Sequence, residues 1–563
     1  MLDQSAPTAT GPAPAKLAGP AVQHLRQVLL WPLRLMPDRD EGDARAPWQR
    51  LRDLGAASPW REQVDEYTGD PAQFHERHYN EFVTFLPYVQ RFLYGEGRAA
   101  RLQRDADEQG APMRVFRRRD VARARVWPHA GADPIELRVV HVDLYFFFDV
   151  DVALLNVEFA AEQLPLRVAQ ELLYRNGRAY PPGWDAGGLP QHCHFGVEWL
   201  SPDGRVLAKS DAAAREVFLA HVAEHRSPRI SSHWAWLLEP LVPDHSGATG
   251  QLRYRQIEYY RMPTMAYLAI DDPRLLTRSD FVRLGLVTGA GGEGELPYAE
   301  CHLADFEARH CYDRFWSSHG AAPDTRYLCS GRSLVVVGRA DAPFFCCGER
   351  GVLAQFRHPH FMIFLIAHFQ KAALLMFSDR LAEALRRLNV RDANSVKRFK
   401  REIRSCFESF LRFTHRYWFH ELAEQAQARA LFQLTASHLG LDTLYAEVKE
   451  RIADMNAYLD ADSLRRQANT VVRLTVVTMF GLIGTVTTGF LGMNLLAEAD
   501  APLSRRMLLF AAVFVLMTVL TFYTIAKSKR LSDFLDVLSD ERLSVWQKTK
   551  VLFAVWKSGD GER

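Results

Sequence analysis

Four groupings of residue types in this 563-residue chain stand close enough together to do chemistry. His192-Cys193-His194 offers two imidazoles and a thiol, the donors a zinc-class ion takes, without further ligands at the spacing such sites use. Asp143, Asp149 and Asp151 fall on one face of an alternating segment and present carboxylate oxygen to a hard cation or to water. Gly289-Ala290-Gly291-Gly292-Glu293-Gly294 has the spacing that cradles a pyrophosphate. That role needs a helix to begin there, and Pro297 follows instead, so the run reads as a loop. The fourth grouping lies in an uncharged stretch near the C-terminus. At about 100° per residue, Val471, Leu474, Thr478, Leu482, Thr485, Gly489 and Gly492 fall within about 40° of one line along a helix. Apolar and hydroxyl-bearing side chains alternate on that face, and downward it carries Gln467, Asp460 and Asn456. Such a face is a helix–helix seam or the lining of a polar path. No Ser/His/Asp or Cys/His arrangement appears by spacing, so no catalytic residue is assigned and an enzyme has no positive support.

The elements that must position these residues follow from composition and period. A net charge of +2 gives no reason to expect a nucleic-acid partner. Seven scattered cysteines, with no CxxC pair, suit a reducing compartment. Residues 1–45 are rich in Ala and Pro, lack the pattern of a secretory signal, and read as a disordered N-terminal segment. From Val140 to Val152 every even position is apolar, which predicts a half-buried strand or hairpin. Helical patterns near 70–105 and 164–176, and strand-like runs near 255–270 and 333–338, complete an expected α/β domain over 46–350. After that, helix breakers nearly vanish, so 351–470 reads as long helices.

Three apolar stretches remain. Leu474–Leu491 and Met507–Ala526 hold no charge, and at about 1.5 Å per residue each is long enough to cross a hydrocarbon core of roughly 30 Å. Phe361–Ser378 carries His368, Gln370 and Lys371 in its middle and reads as a buried helix instead. Arg465, Arg466 and Arg473 precede the first span, and Lys527, Lys529 and Arg530 follow the second. Only Arg505 and Arg506 stand between the spans, so both termini are expected in the cytoplasm. The first span has five threonines and three glycines, the second mostly bulky aliphatics, which makes the first the inner helix of an oligomer and the second the lipid-facing one.

Gly492-Met493-Asn494 directly ends the first span. A Gly-Met-Asn tripeptide between two C-terminal spans, with a large charged domain before and a basic tail behind, resembles the CorA family of magnesium channels. The resemblance is firm over about 450–530 and architectural elsewhere. It implies a homopentamer in the inner membrane, with five copies of the 471–491 helix around the pore and continuing below as a stalk. The 492–506 loop lies outside, the 507–526 helix faces lipid, and 527–563 forms a cytoplasmic tail. It further implies Mg²⁺ as transported and regulatory ion, with Co²⁺ or Ni²⁺ as related cargo, and no other cofactor. Gly492, Met493 and Asn494 are then the selectivity filter, and the row from Val471 to Gly489 lines the pore. Glu498 and Asp500 are candidates to gather cations at the mouth. Asp454, Asp460 and Asp462 are candidates for cytoplasmic ion sensing. The chain departs from the family in Leu491, where an aromatic is common, and in the loop Leu495–Pro502. A zinc-transporting branch of the family, and a membrane-anchored sensor or scaffold, are the alternatives.

Overall fold

The computed structural model describes residues 20–36, 46–63, 76–95, 112–247, 252–258, 260–291, 296–389 and 392–492, with single positions between 502 and 523. The chain divides into two units, Met1–Glu450 and Arg451–Arg563.

The first unit is an α/β region built on one fourteen-stranded sheet. Its seed is the hairpin that the alternation predicts, Ile135–Phe147 with Val152–Pro165. The two strands meet in a register that puts Val142 opposite Val157 and Leu144 opposite Leu155. Apolar pairs thus stack on one side, and Asp143 faces Asn156 on the other. Asp149, at φ +62°, turns the chain between them. Along the sheet the order runs Val206–Lys209, Gly196–Leu200, Arg123–Trp127, the two hairpin strands, Ala21–Met36, Thr264–Ile270, Ser333–Arg339, Arg326–Cys329 and Cys311–Tyr312. Thr264–Ile270 and Ser333–Arg339 pair in parallel, while the other neighbours along this path are antiparallel.

The strand Ala21–Met36 overturns the expectation of disorder through residue 45. It sits in the middle of the sheet, antiparallel to Val152–Pro165 on one side. On the other it pairs with Thr264–Ile270 and then with Arg253–Gln256. Leu29, Leu30, Trp31 and Leu33 are buried. A strand covered on both faces shows a continuous apolar run, here Val28-Leu29-Leu30-Trp31, rather than an alternation. Pro32 falls where the second neighbour changes from one strand to the other, so its missing N–H leaves no ladder bond broken.

The helix Pro359–Arg386 lies on the strands Ala21–Met36 and Val152–Pro165 and packs against the helices Ala393–Arg416 and Ala426–Leu439. By length and composition it qualifies to cross a membrane, yet 78% of its apolar window is buried inside the protein. The three polar residues in its middle each find a partner there. His368 Nε2 donates to the Gly331 carbonyl at 3.2 Å, and Gln370 donates to the Tyr417 carbonyl at 3.0 Å. Lys371 reaches Glu258 at 3.2 Å. The three helices therefore belong to the same unit as the sheet, which extends the α/β region past the expected limit at 350. The reason is the apolar sheet face, which only a helix of this length covers.

Gly440, at φ +66°, ends the helix Ala426–Leu439 and lets the next begin at once. That next helix, Leu441–Gly492, runs 52 residues without a break, about 78 Å at 1.5 Å per residue.

Two consequences are measurable. Leu30→Ala removes a fully buried side chain from the central strand and should cost about 2–5 kcal/mol of stability, read as a lower thermal midpoint. An unchanged midpoint would mean that this strand is peripheral. Burial also pushes the pKa of His194, His233 and His368 down to about 3 and that of His360 to about 4. These bases are neutral when folded and charge near pH 6.5 when unfolded, so the unfolded state binds more protons below that pH. Stability should therefore fall as pH drops from about 6.5 toward 4, by about 1.4 kcal/mol per pH unit for each histidine. A thermal midpoint flat between pH 7 and 5 would contradict their burial.

Candidate functional site

The long helix carries most of the residues that the sequence singles out. Val471 and Leu474 are 62% and 65% exposed in the single chain. Thr478 Oγ1 donates back to the Leu474 carbonyl at 2.5 Å, and Thr485 Oγ1 to the Gly481 carbonyl at 2.9 Å. This i→i−4 bonding has a chemical consequence. Each hydroxyl proton is used within the helix, so the oxygen turns its lone pairs outward as an acceptor. A cation's hydration water, which donates, meets such an oxygen well. Thr475 and Thr488 make the same bond to Val471 and Gly484.

The glycines of this segment leave open backbone. A Cβ added at Gly481, Gly489 or Gly492 would meet nothing within 4 Å in the single chain. Gly492 is the last helical residue and does not take a left-handed φ. The backbone at this glycine therefore stays helical.

The side chain of Leu482 lies outside the described residues, as do Met493, Asn494, Glu498 and Asp500. Asp454 and Asp460 are exposed on the long helix, while the Asp462 side chain lies outside the described set. Further along, Leu503, Met507, Leu508, Val515, Leu516 and Val519 are each more than half exposed. That many large apolar side chains facing outward is a surface that water alone does not tolerate well.

The other groupings resolve differently. His192, at φ +59°, shares a hydrogen bond with the Tyr174 hydroxyl at 2.8 Å. His194 is buried and donates from Nε2 to Asn176 Oδ1 at 2.6 Å. Asn176 passes its own amide proton to Gln27, which donates in turn to Thr264. Burial raises the Cys193 thiol to about 11. The His-Cys-His run is thus a structural polar chain under the central strand rather than a ligand set. Asp143 is buried against Arg117 at 2.7 Å. Burial lifts its pKa, and the guanidinium opposes the rise. Asp149 is held by Arg412 and Arg416, and Asp151 by Arg380. Each carboxylate has its own arginine, so the three do not assemble a cation site. In the glycine-rich run, Gly289 takes φ +75° and Ala290 N–H donates to Glu171 at 2.9 Å. The following helix starts only at Glu300, so no helix N-terminus faces the run; 292–295 lie outside the described residues.

One cluster escaped the sequence reading. His221, His225 and His245 bring their ring nitrogens together. The His221–His225 spacing on a helix was the legible half of that signal.

Compared with models of protein families, with curated proteins and with solved structures, the chain shows no match.

Proposed function

We propose that this chain is the subunit of a divalent-cation channel of the CorA type, with Mg²⁺ as its substrate. The observation that carries the reading is a 52-residue unbroken helix whose last residue, Gly492, is the first of the sequence Gly492-Met493-Asn494. Its last 18 residues before the tripeptide are free of charge and rich in hydroxyls and glycine. In this reading five copies of the helix surround a pore in the inner membrane. Mg²⁺ is small and sheds its water reluctantly, so a pore that reads the hydrated ion avoids most of the dehydration cost. Five Asn494 amide carbonyls at the outer end offer neutral acceptors to that water. Neutral oxygen holds the ion weakly enough to release it.

Below the filter, the outward lone pairs of Thr485 and Thr478 hand the hydrated ion along. The exposed side chains of Leu474 and Val471 meet their counterparts from other copies and form a constriction that closes by dewetting. Glu498 and Asp500 raise the local cation concentration at the mouth, opposed by Arg505 and Arg506. Asp454, Asp460 and Asp462, on the part of the helix below the span, are the carboxylates through which internal Mg²⁺ would close the pore. Both chain ends then lie on the cytoplasmic side, and the second span faces lipid. The rival reading, a membrane-anchored sensor, draws on the size of the Met1–Glu450 unit and predicts no flux.

Native mass of the detergent-solubilised protein should correspond to five chains, and a monomer or dimer would remove the basis for a shared pore. Asn494→Ala deletes the carbonyl ring and buries no new polar group. The variant should assemble as the wild type does, and Mg²⁺ uptake into liposomes should slow at least about tenfold, equivalent to roughly 1.4 kcal/mol at the barrier. Uptake by Asn494→Ala at the wild-type rate would refute the filter and favour the sensor.

A further inference from the structure

His221 and His225 stand one turn apart on the helix Arg215–His225 and therefore share a face. His245 comes from a separate loop, just after the short strand Val242–Pro243. The three ring centroids lie 4.5, 4.5 and 4.7 Å apart. One ring nitrogen from each lies within 4.8 Å of the other two. We propose that His221, His225 and His245 form a three-imidazole site for a borderline transition-metal ion of the Zn²⁺ class. The proposal concerns the Met1–Glu450 unit and does not rest on the channel reading.

Independent observations separate this cluster from a chance stack of rings. His221 Nε2 is buried and has no hydrogen-bond partner in the chain, which is costly unless something else takes its lone pair or proton. The loop that presents His245 is braced on both sides. Arg253 Nη1 donates to the carbonyl of Asp244 at 2.9 Å and to that of Ser246 at 2.7 Å. The Asp244 N–H is itself bonded to the Tyr254 carbonyl at 2.9 Å. A buried arginine thus fixes the backbone on either side of the third histidine, the support a ligand on a loop requires.

His225 is the last residue of its helix, followed by Arg226 at φ +52°. The partial negative charge of the helix C-terminus falls at that end and favours a cation. Glu224 stands 3.7 Å from the His225 ring, placed as the outer carboxylate that often orients a ligating imidazole. Arg229, whose charge reaches His221, is engaged by Asp211 at 2.8 Å. Burial, added to by the neighbouring imidazoles, holds His221 below its usual range and does the same for His245. Both rings therefore keep a free lone pair at neutral pH.

Donor chemistry selects the ion. Imidazole nitrogen suits Zn²⁺, Co²⁺, Ni²⁺ and Cu²⁺, while Mg²⁺ requires oxygen and keeps its waters. Zn–N bonds of about 2.0–2.1 Å place ligand nitrogens near 3.4 Å from one another, so closing the site needs only modest side-chain rotation. Three protein ligands leave a fourth position open to water, the arrangement of a site that exchanges its ion or its ligand.

The test uses full-length, tag-free protein in detergent, titrated with Co²⁺ as a spectroscopic stand-in for Zn²⁺. The wild type should bind one Co²⁺ per chain with the intense visible absorption of low coordination number. Zn²⁺ should displace it, and a hundredfold excess of Mg²⁺ should not. His221→Ala, and separately His245→Asn in the loop, should each weaken binding by more than about tenfold, as expected when a ligand rather than an outer partner is lost. Circular dichroism and thermal midpoint should stay at the wild-type values for at least His245→Asn, whose backbone is held by Arg253. Absence of Co²⁺ binding in the wild type would overturn the proposal. So would binding of equal strength in both variants, which would move the metal to one of the cysteines, or displacement by Mg²⁺.

Discussion

Pairing of the strand Ala21–Met36 between two sequence-distant partners is the constraint on which the first unit depends. One side of the sheet is built around a hairpin closed by local contacts, and the other from strands after residue 240. Among the described residues only this strand joins them, and its length and apolar run let it satisfy a neighbour on each side at once. Its far end is tied to the covering helix by a buried arginine. Arg34 bonds Asp379 and reaches Glu383 at 3.1 Å. Arg34 and Glu383 both lose water, so their pairing adds little net stability, but it penalises any other seating of the helix. The helix Pro359–Arg386 thereby gains a fixed register, and with it His368, Gln370 and Lys371 meet their partners.

The second unit works under a different constraint. Within the first, most large apolar side chains are covered by their own chain. Along the end of the long helix and beyond it, Val471, Leu474, Met507 and Leu516 are not. In the proposed channel, lipid and other copies of the helix cover these groups. The threonines show how a helix in such surroundings stays satisfied, since each hydroxyl spends its proton on a carbonyl four residues back. The oxygens left facing outward are what a proposed path for a hydrated ion uses. The same bonding would also occur in a purely structural seam, so the distinction lies with the Gly-Met-Asn tripeptide and with a measurement of flux.

The two proposed metal chemistries divide between the two units by donor type. Amide, hydroxyl and carboxylate oxygen belong to the 454–500 region and suit a hard, hydrated ion. Imidazole nitrogen is concentrated in the three-histidine cluster of the first unit and suits a softer one. A protein with both would respond to two ions by different means, with neither site competing for the other's cargo.

Sequence alone determined what depends on local period and composition. Alternation from Val140 to Val152 specified the hairpin, because side chains on a strand switch faces at every residue. Scarcity of Gly and Pro after residue 353 specified long helices, and the uncharged runs marked 474–491 and 507–526 as apolar segments. The row from Val471 to Gly492 follows from helical geometry and needs no neighbour. Tertiary structure decided everything set by partners far along the chain. The Ala- and Pro-rich start read as disordered through residue 45, because a strand buried on both faces has no alternation to betray it. Its identity as a strand comes from partners more than a hundred residues away. Asp143, Asp149 and Asp151 looked like one face of carboxylates until separate arginines, from a neighbouring strand and two distant helices, claimed them. His245 joins His221 and His225 only because a loop pinned by Arg253 returns to the helix end, a proximity that no spacing along the chain encodes.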